Sequence, residues 1–356
     1  MKSSKILLPV IGVLFLIFQG NLSAIPSHLQ YNVDSTFFES FLRDSFLNMT
    51  LELDFKQIKN RKLDTYKSGT LSLADRNGQL QQLKVEVKPR GNMRRKICDF
   101  PPLRIRFSKE EVSARGFKDY RKLELATVCD KGESYEQYIL REYVIYKLYN
   151  LLTPYSFRAQ LAKVNFVDTG SKGKSFESYA ILFESTDEMI DRLNGRELPK
   201  RYVSSRILNN DACELFSIFQ FMIGNTDWYV HNQHNVKIIG IKNTADVVPV
   251  AYDFDYAGFV NAPYAVPQDE LKIRHVTERY YQGYCRSEEE TMQTVRLFLD
   301  KKAEILNYCE SFAYFDERSK KQVRNYLEEF FGIIENPKAI KSELLKHCNQ
   351  WLGREK

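Results

Sequence analysis

Three acids and an asparagine carry most of the chemistry that this sequence offers. Asp227 and Asn235 lie in Gly224-Asn225-Thr226-Asp227-Trp228-Tyr229-Val230-His231-Asn232-Gln233-His234-Asn235. Asp253 and Asp255 follow the apolar run Val247-Val248-Pro249-Val250-Ala251. The set suits phosphoryl transfer of the kinase type, in which an Asp orients the attacking hydroxyl while an Asn and another Asp hold Mg²⁺ on nucleotide phosphates. Asp227 is the candidate catalytic residue, and Asn235, Asp253 and Asp255 are the candidate metal ligands. Carboxylates two residues apart share a face in extended chain and repel unless a cation or a shared proton intervenes. Asp253 is the better placed for direct ligation, because it emerges from the apolar run; a solvated turn is the plainer alternative. Asn232 competes with Asn235, since it stands five positions after Asp227, the spacing of protein-kinase catalytic loops. Asn235 is preferred for its place at a strand start.

Cations for the phosphates come from the first half. Arg90-Gly91-Asn92 is followed by Arg94, Arg95 and Lys96, and a glycine in a basic turn lets backbone N–H groups and Arg side chains approach phosphates. A merely solvated turn fits the same residues. Arg104 or Arg106 is expected to pair with phosphate from a sheet, with Glu142 on the next helix as its ion-pair partner; Lys96 is a further contender. Zinc chemistry through His231 and His234 lacks a third N or S ligand at matching spacing. A glycosidase pair of Asp253 and Asp255 is disfavoured, because neighbours on one strand cannot easily flank a scissile bond.

These residues must be held by strands in the first half and helices in the second. Residues 69–74 and 80–87 alternate around Asp75-Arg76-Asn77-Gly78, a hairpin signal. Residues 103–107 alternate with both arginines on one face, and 122–126, 162–167 and 178–183 also read as strands. Between them, Ser134 and Gln137 have capping-box spacing ahead of a helix that stops at Pro154. Asp211 and Glu214 repeat that spacing before Leu215, Phe216, Phe219 and Met222. Short strands are expected at 236–241 and 247–252, and helices around 288–309, 319–331 and 337–351.

The remaining composition narrows the class. Lys2 and Lys5, the apolar stretch Ile6 to Phe18 and the small residues near Ala24 read as a secretory signal peptide over 1–24. No other segment is apolar enough to span a bilayer, so no integral span is expected after cleavage. Cleavage takes the net charge from +6 to about +4, the two lysines lost, which is too mild to argue for nucleic acid. With 43% hydrophobic and 28% charged residues the chain is of ordinary globular type. Six cysteines behind a signal peptide make disulfides expected, with Cys98–Cys129 favoured because the two flank one strand–loop–strand unit. Cys213, on an apolar helix, is equally a buried thiol.

The segments Val87-Lys88-Pro89-Arg90-Gly91-Asn92, Gly224-Asn225-Thr226-Asp227, His234-Asn235 and Tyr252-Asp253-Phe254-Asp255 together resemble the CotH-type secreted kinase family and, more distantly, HipA-type kinases. The likeness covers roughly residues 80–265. It implies an α+β, two-lobed protein-kinase-like fold, with a strand-rich N-lobe at about 45–188 and a helical C-lobe at about 195–356 inside a domain spanning 25–356. It further implies ATP with Mg²⁺ or Mn²⁺ as cofactors, and phosphate transfer to Ser or Thr of a protein in the envelope or extracellular space, for a secreted or periplasmic enzyme. By matching position Asp227 is catalytic, and Asn235 and Asp253 hold the metal. Arg90, Arg104 and Glu142 are the expected nucleotide-binding residues. The chain departs from kinases in lacking a glycine-rich loop and in using Arg where Lys is usual. Nucleotidyl transfer, or a catalytically silent pseudokinase that binds a partner, are the alternatives.

Overall fold

In the first half, alternating apolar residues select strands whose apolar faces meet inside a barrel. The computed structural model describes residues 35–349 except 61, 63, 76, 77, 131, 171, 172, 201 and 202; the expected signal peptide and Trp351 lie outside the described residues. The first half contains β1 (Leu47–Leu53), α1 (Phe55–Ile58), β2 (Lys67–Ala74), β3 (Leu80–Pro89), α2 (Arg94–Ile97), β4 (Leu103–Phe107) and α3 (Lys109–Ala114). It continues through β5 (Lys122–Thr127), α4 (Glu133–Leu152), β6 (Ala159–Asp168), β7 (Ser175–Phe183), α5 (Thr186–Arg192) and β8 (Gly195–Glu197). The second half holds α6 (Asn210–Ile223), β9 (Val236–Ile241), β10 (Val247–Ala251), α7 (Glu288–Asp300), α8 (Lys302–Ser311), α9 (Glu317–Ile334) and α10 (Pro337–Ile340).

The protein is therefore α+β. Seven strands run in the order β1-β2-β3-β4-β5-β7-β6, and β6 returns parallel beside β1, Leu47 opposite Ala162, to close a barrel. The match to a typical kinase lobe is thus incomplete. Leu51, Val87, Ile105, Leu125, Val164 and Leu182 fill the barrel. Neighbouring residues of β6 and β7, among them Leu161, Ile181 and Phe183, point out of it and join a second apolar cluster with α4. That helix is buried on nearly all sides, from Ile139 to Leu152, because the barrel covers one flank and the second half covers the other. β10-β9-β8 form a separate antiparallel sheet.

Several local expectations are corrected. α4 begins after Gly132, without a side-chain cap; Gln137 instead bonds to Tyr314 and Asp316 across the fold. α6 is capped by Asn209, whose side chain accepts from the Ala212 N–H, and Glu214 is buried against α7. In both cases the polar residue finds a tertiary partner in place of a local one. The stretch expected as one helix over 288–309 is broken at Lys301 into α7 and α8, and Ser287 and Glu290 form a capping box at the start of α7. β1 and β8 were not anticipated. Cys98–Cys129 is bridged, as is Cys285–Cys348, and Cys213 and Cys309 are buried thiols. Among the described residues no helix is long and apolar enough to cross a membrane.

Candidate active site

The loop bearing Asp227 is shaped by the end of α6. Gly224 takes φ 62° to end that helix, and the Tyr326 hydroxyl of α9 lies where a Cβ would sit, so glycine is required twice over. Asn225 is buried: its Oδ1 accepts from the Asp227 N–H (3.0 Å), its amide nitrogen donates to Gln220, and its carbonyl accepts from the Trp228 indole. The Thr226 carbonyl accepts from both Gln268 and Gln282. The backbone that presents Asp227 is thereby pinned from three sides.

Beyond Asp227 the chain folds on itself, with Tyr229 and His234 exchanging backbone hydrogen bonds. Asn232 is exposed and caps that turn by accepting from the His234 N–H. It is Asn235 that the fold brings to Asp227: its Nδ2 donates to the Asp227 carbonyl (2.8 Å) and to Oδ2 (2.9 Å). Those bonds orient the amide so that Oδ1 is its outward atom. His234 Nε2 donates to the other oxygen, Asp227 Oδ1, at 2.9 Å, and this bond raises the imidazole pKa.

Pairing of β9 with β10 places Ala251 opposite Val236, and the Tyr252 N–H donates to the Asn235 carbonyl. Asn235 and Asp253 thus leave the same end of one hairpin. Asp253 is not extended as the sequence suggested: β10 stops at Ala251, and Asp253 adopts φ 64°, with Asn235 at φ 50°. Left-handed backbone at non-glycine residues is costly and collects at functional sites. The Tyr146 hydroxyl of α4 accepts from the Asp253 N–H at 2.9 Å, and Phe254 is buried against Tyr146, Tyr149 and Phe219. Asp253 is half-buried, whereas Asp255 is buried and accepts from the Tyr264 hydroxyl.

The cation behind these acids is Arg94. Burial acts to lower its pKa, but Tyr264, Glu142, Asp255 and Asp253 together hold it above its ordinary value. Its guanidinium donates to the Thr127 carbonyl, lies 3.5 Å from Glu142 and 3.9 Å from Asp255 Oδ2. Glu142 therefore pairs with Arg94 and not with Arg104. Arg104 is opposite Glu124 in the β4–β5 register and bonds to it, as Arg106 does to Glu86 across β3–β4. Direct cross-strand neighbours claim both arginines before any helix can reach them. Arg90 also meets Glu124, at 2.7 Å, yet lies near enough to Glu142, Tyr146 and Tyr252 to influence each electrostatically. Lys96 is exposed.

Burial, then the neighbouring charges of Asp253 and Asp227, push the Asp255 carboxyl up against the pull of Arg94; Glu142 is pushed up likewise. Glu142, Asp255 and Asp253 act on one buried guanidinium, and Asp227 adds to the negative charge felt at Asp255, an excess of acid that a cation would offset. Among the described residues no three His, Cys, Asp or Glu side chains are grouped to hold an ion by themselves, so zinc binding by His231 and His234 finds no support.

No family model and no curated protein matches the chain. Among solved structures it is similar to the crystal structure of a Helicobacter pylori proinflammatory kinase, CtkA, at 10% sequence identity and a TM-score of 0.37, over 68% of this chain and 95% of that one.

Proposed function

We propose that the chain is an exported, CotH-like atypical kinase that transfers phosphate from ATP to a Ser or Thr of a protein in the envelope or extracellular space. The observation that carries this reading is the gathering of Asp227, Asn235, Asp253 and Asp255 in front of the buried Arg94–Glu142 pair. Two disulfides suit an oxidising compartment. The reading divides the chain into an N-lobe of about 45–188 and a C-lobe of about 195–356.

In this assignment Asp227 orients the acceptor hydroxyl and takes its proton, while Asn235 and His234 fix the carboxylate plane. Asp253 and Asn235 Oδ1 would hold Mg²⁺ or Mn²⁺. Asp255, whose Oδ2 faces Arg94 and accepts from Tyr264, would contribute its charge to the ion from behind. Arg94 takes the phosphate-pairing role expected of Arg104, and Arg90 adds positive charge beside Glu142 and Tyr252. A bound cation would neutralise charge developing on the transferred phosphoryl group.

One observation favours the silent-pseudokinase reading: both Asp227 oxygens are already engaged, by His234 and Asn235. Incubation of the protein with labelled ATP, Mg²⁺ or Mn²⁺ and candidate envelope proteins decides between them. Label transfer that disappears in Asp227→Ala and Asp253→Ala supports the kinase, and transfer indifferent to both removes the site. Nucleotide binding without transfer to any acceptor favours the silent form.

A further inference from the structure

We infer that the Cys98–Cys129 disulfide is part of the nucleotide site, because it locks the turn that carries Arg94; the inference rests on the kinase-like reading above. α2 has four residues and no side-chain cap, so it cannot hold its own shape. Its end is sewn down instead. The Cys98 N–H donates to the Arg94 carbonyl and the Asp99 N–H to the Cys129 carbonyl, each hydrogen bond at 2.9 Å, and the bridge joins Cys98 to Cys129. Cys129 stands two residues past Thr127, whose carbonyl receives the Arg94 guanidinium. The same bridge therefore anchors both the base of the arginine and the strand end it leans on.

The side-chain partners of Arg94 do not supply that restraint. Its contacts to Glu142 and Asp255, at 3.5 and 3.9 Å, exceed the length of a charge-assisted hydrogen bond, and its Nε is buried without a hydrogen-bond partner. Cys129, Arg94, Glu142, Asp255 and Tyr264 line one small cavity. Opening the bridge consumes two electrons and two protons from a dithiol reductant, which itself closes to a disulfide, and leaves two thiols. The turn is then free to swing Arg94 away from the acids. Cys285–Cys348 provides an internal comparison: it ties the segment before α7 to the chain near Asn349, with no member at this site.

The test titrates an ATP analogue with Mn²⁺ into the full chain, into Cys98→Ala/Cys129→Ala and into Cys285→Ala/Cys348→Ala, with a non-reducing peptide map of each. Removal of a positioning partner is expected to weaken binding about 10-fold or more in the first variant, and about twofold or less in the second. In nucleotide-free protein the Cys98 and Asp99 amides are expected to exchange faster in the first variant alone. Should the first variant fail to fold by near-ultraviolet circular dichroism, wild type reduced by dithiothreitol under native conditions, with the opened bridge mapped by alkylation, is titrated against the same criterion. Unchanged affinity, or equal losses in both variants, overturns the inference. Wild type that binds no nucleotide removes the kinase-like reading and this inference together, whereas tight binding indifferent to the bridge removes only the inference.

Discussion

Replacing Arg94 by Met tests the electrostatic logic of the site without a ligand. Met keeps most of the side-chain volume and deletes the charge, so Glu142 and Asp255 remain buried without the guanidinium that faces both. Breaking a buried pair in this way costs roughly 3–5 kcal/mol. With about 2.1 cal/mol/K of unfolding entropy per residue over about 300 residues, that loss lowers Tm by about 5–8 °C. The loss must depend on pH in a fixed direction. Both carboxyls have folded-state pKa values raised above the unfolded ones, by burial first. Between those two values the unfolded chain releases protons that the native chain keeps, so stability falls as pH rises. Arg94 limits that fall in the wild type; without it the fall deepens and extends to higher pH. Thermal denaturation followed by circular dichroism at pH 5, 6.5 and 8 should show the smallest loss at pH 5 and the full loss at pH 8. Adding Glu142→Gln to Arg94→Met should recover part of it at pH 8. A loss below about 1 kcal/mol, or one equal at all three pH values, would falsify the buried-charge account.

Calorimetric titration should find Asp253→Asn weakening metal-dependent nucleotide binding more than Asp227→Asn, since Asp253 alone of the two is assigned as a ligand; equal effects refute that division. Gly224→Ala should destabilise by about 2–4 kcal/mol, because a Cβ there meets both a left-handed φ and the Tyr326 hydroxyl. Its Tm should rise again in part when Tyr326→Phe, which removes the hydroxyl and keeps the packed ring, is added, and absence of any recovery would remove that hydroxyl from the explanation. Burial pushes the Glu214 pKa to about 7, although it accepts from Thr291 and Tyr281. Glu214→Gln should therefore match wild type near pH 4 and exceed its stability by roughly 1–3 kcal/mol at pH 8, and a variant less stable at pH 8 contradicts the burial argument.

The strands show what pattern alone can decide. Residues 103–107 and 236–241 are strands with the bounds their alternation and apolar runs suggested, because a period-two stretch needs only one apolar surface to face. β1 carries the same signal in Leu47-Asn48-Met49-Thr50-Leu51-Glu52-Leu53, whose burial alternates along the strand. The three residues of β8 were not legible, since they become a strand through pairing with β9. Acid and amide types at the ends of apolar runs marked Asp227, Asn235 and Asp253, and Cys98 and Cys129 were pairable from their places around one strand–loop–strand unit.

Partners across the chain were settled only by tertiary structure. The residues at 134 and 137, and at 211 and 214, have box spacing, yet Gln137 and Glu214 spend their hydrogen bonds on distant segments. Asn235, and not Asn232, hydrogen-bonds Asp227 because the loop folds back at Tyr229 and His234, which a spacing count does not see. Arg104 is an arginine on a strand and Arg94 an arginine in a turn; nothing in their sequence neighbourhoods says which will meet Glu142. Strand register gave Arg104 to Glu124, and the bridge beside Thr127 carried Arg94 into the acids. Local sequence sets backbone preference and amphipathic faces, which act over a few residues. Ion-pair choice depends on burial and on distances between segments far apart in the chain, and those exist only once the barrel has closed and α4 lies against it.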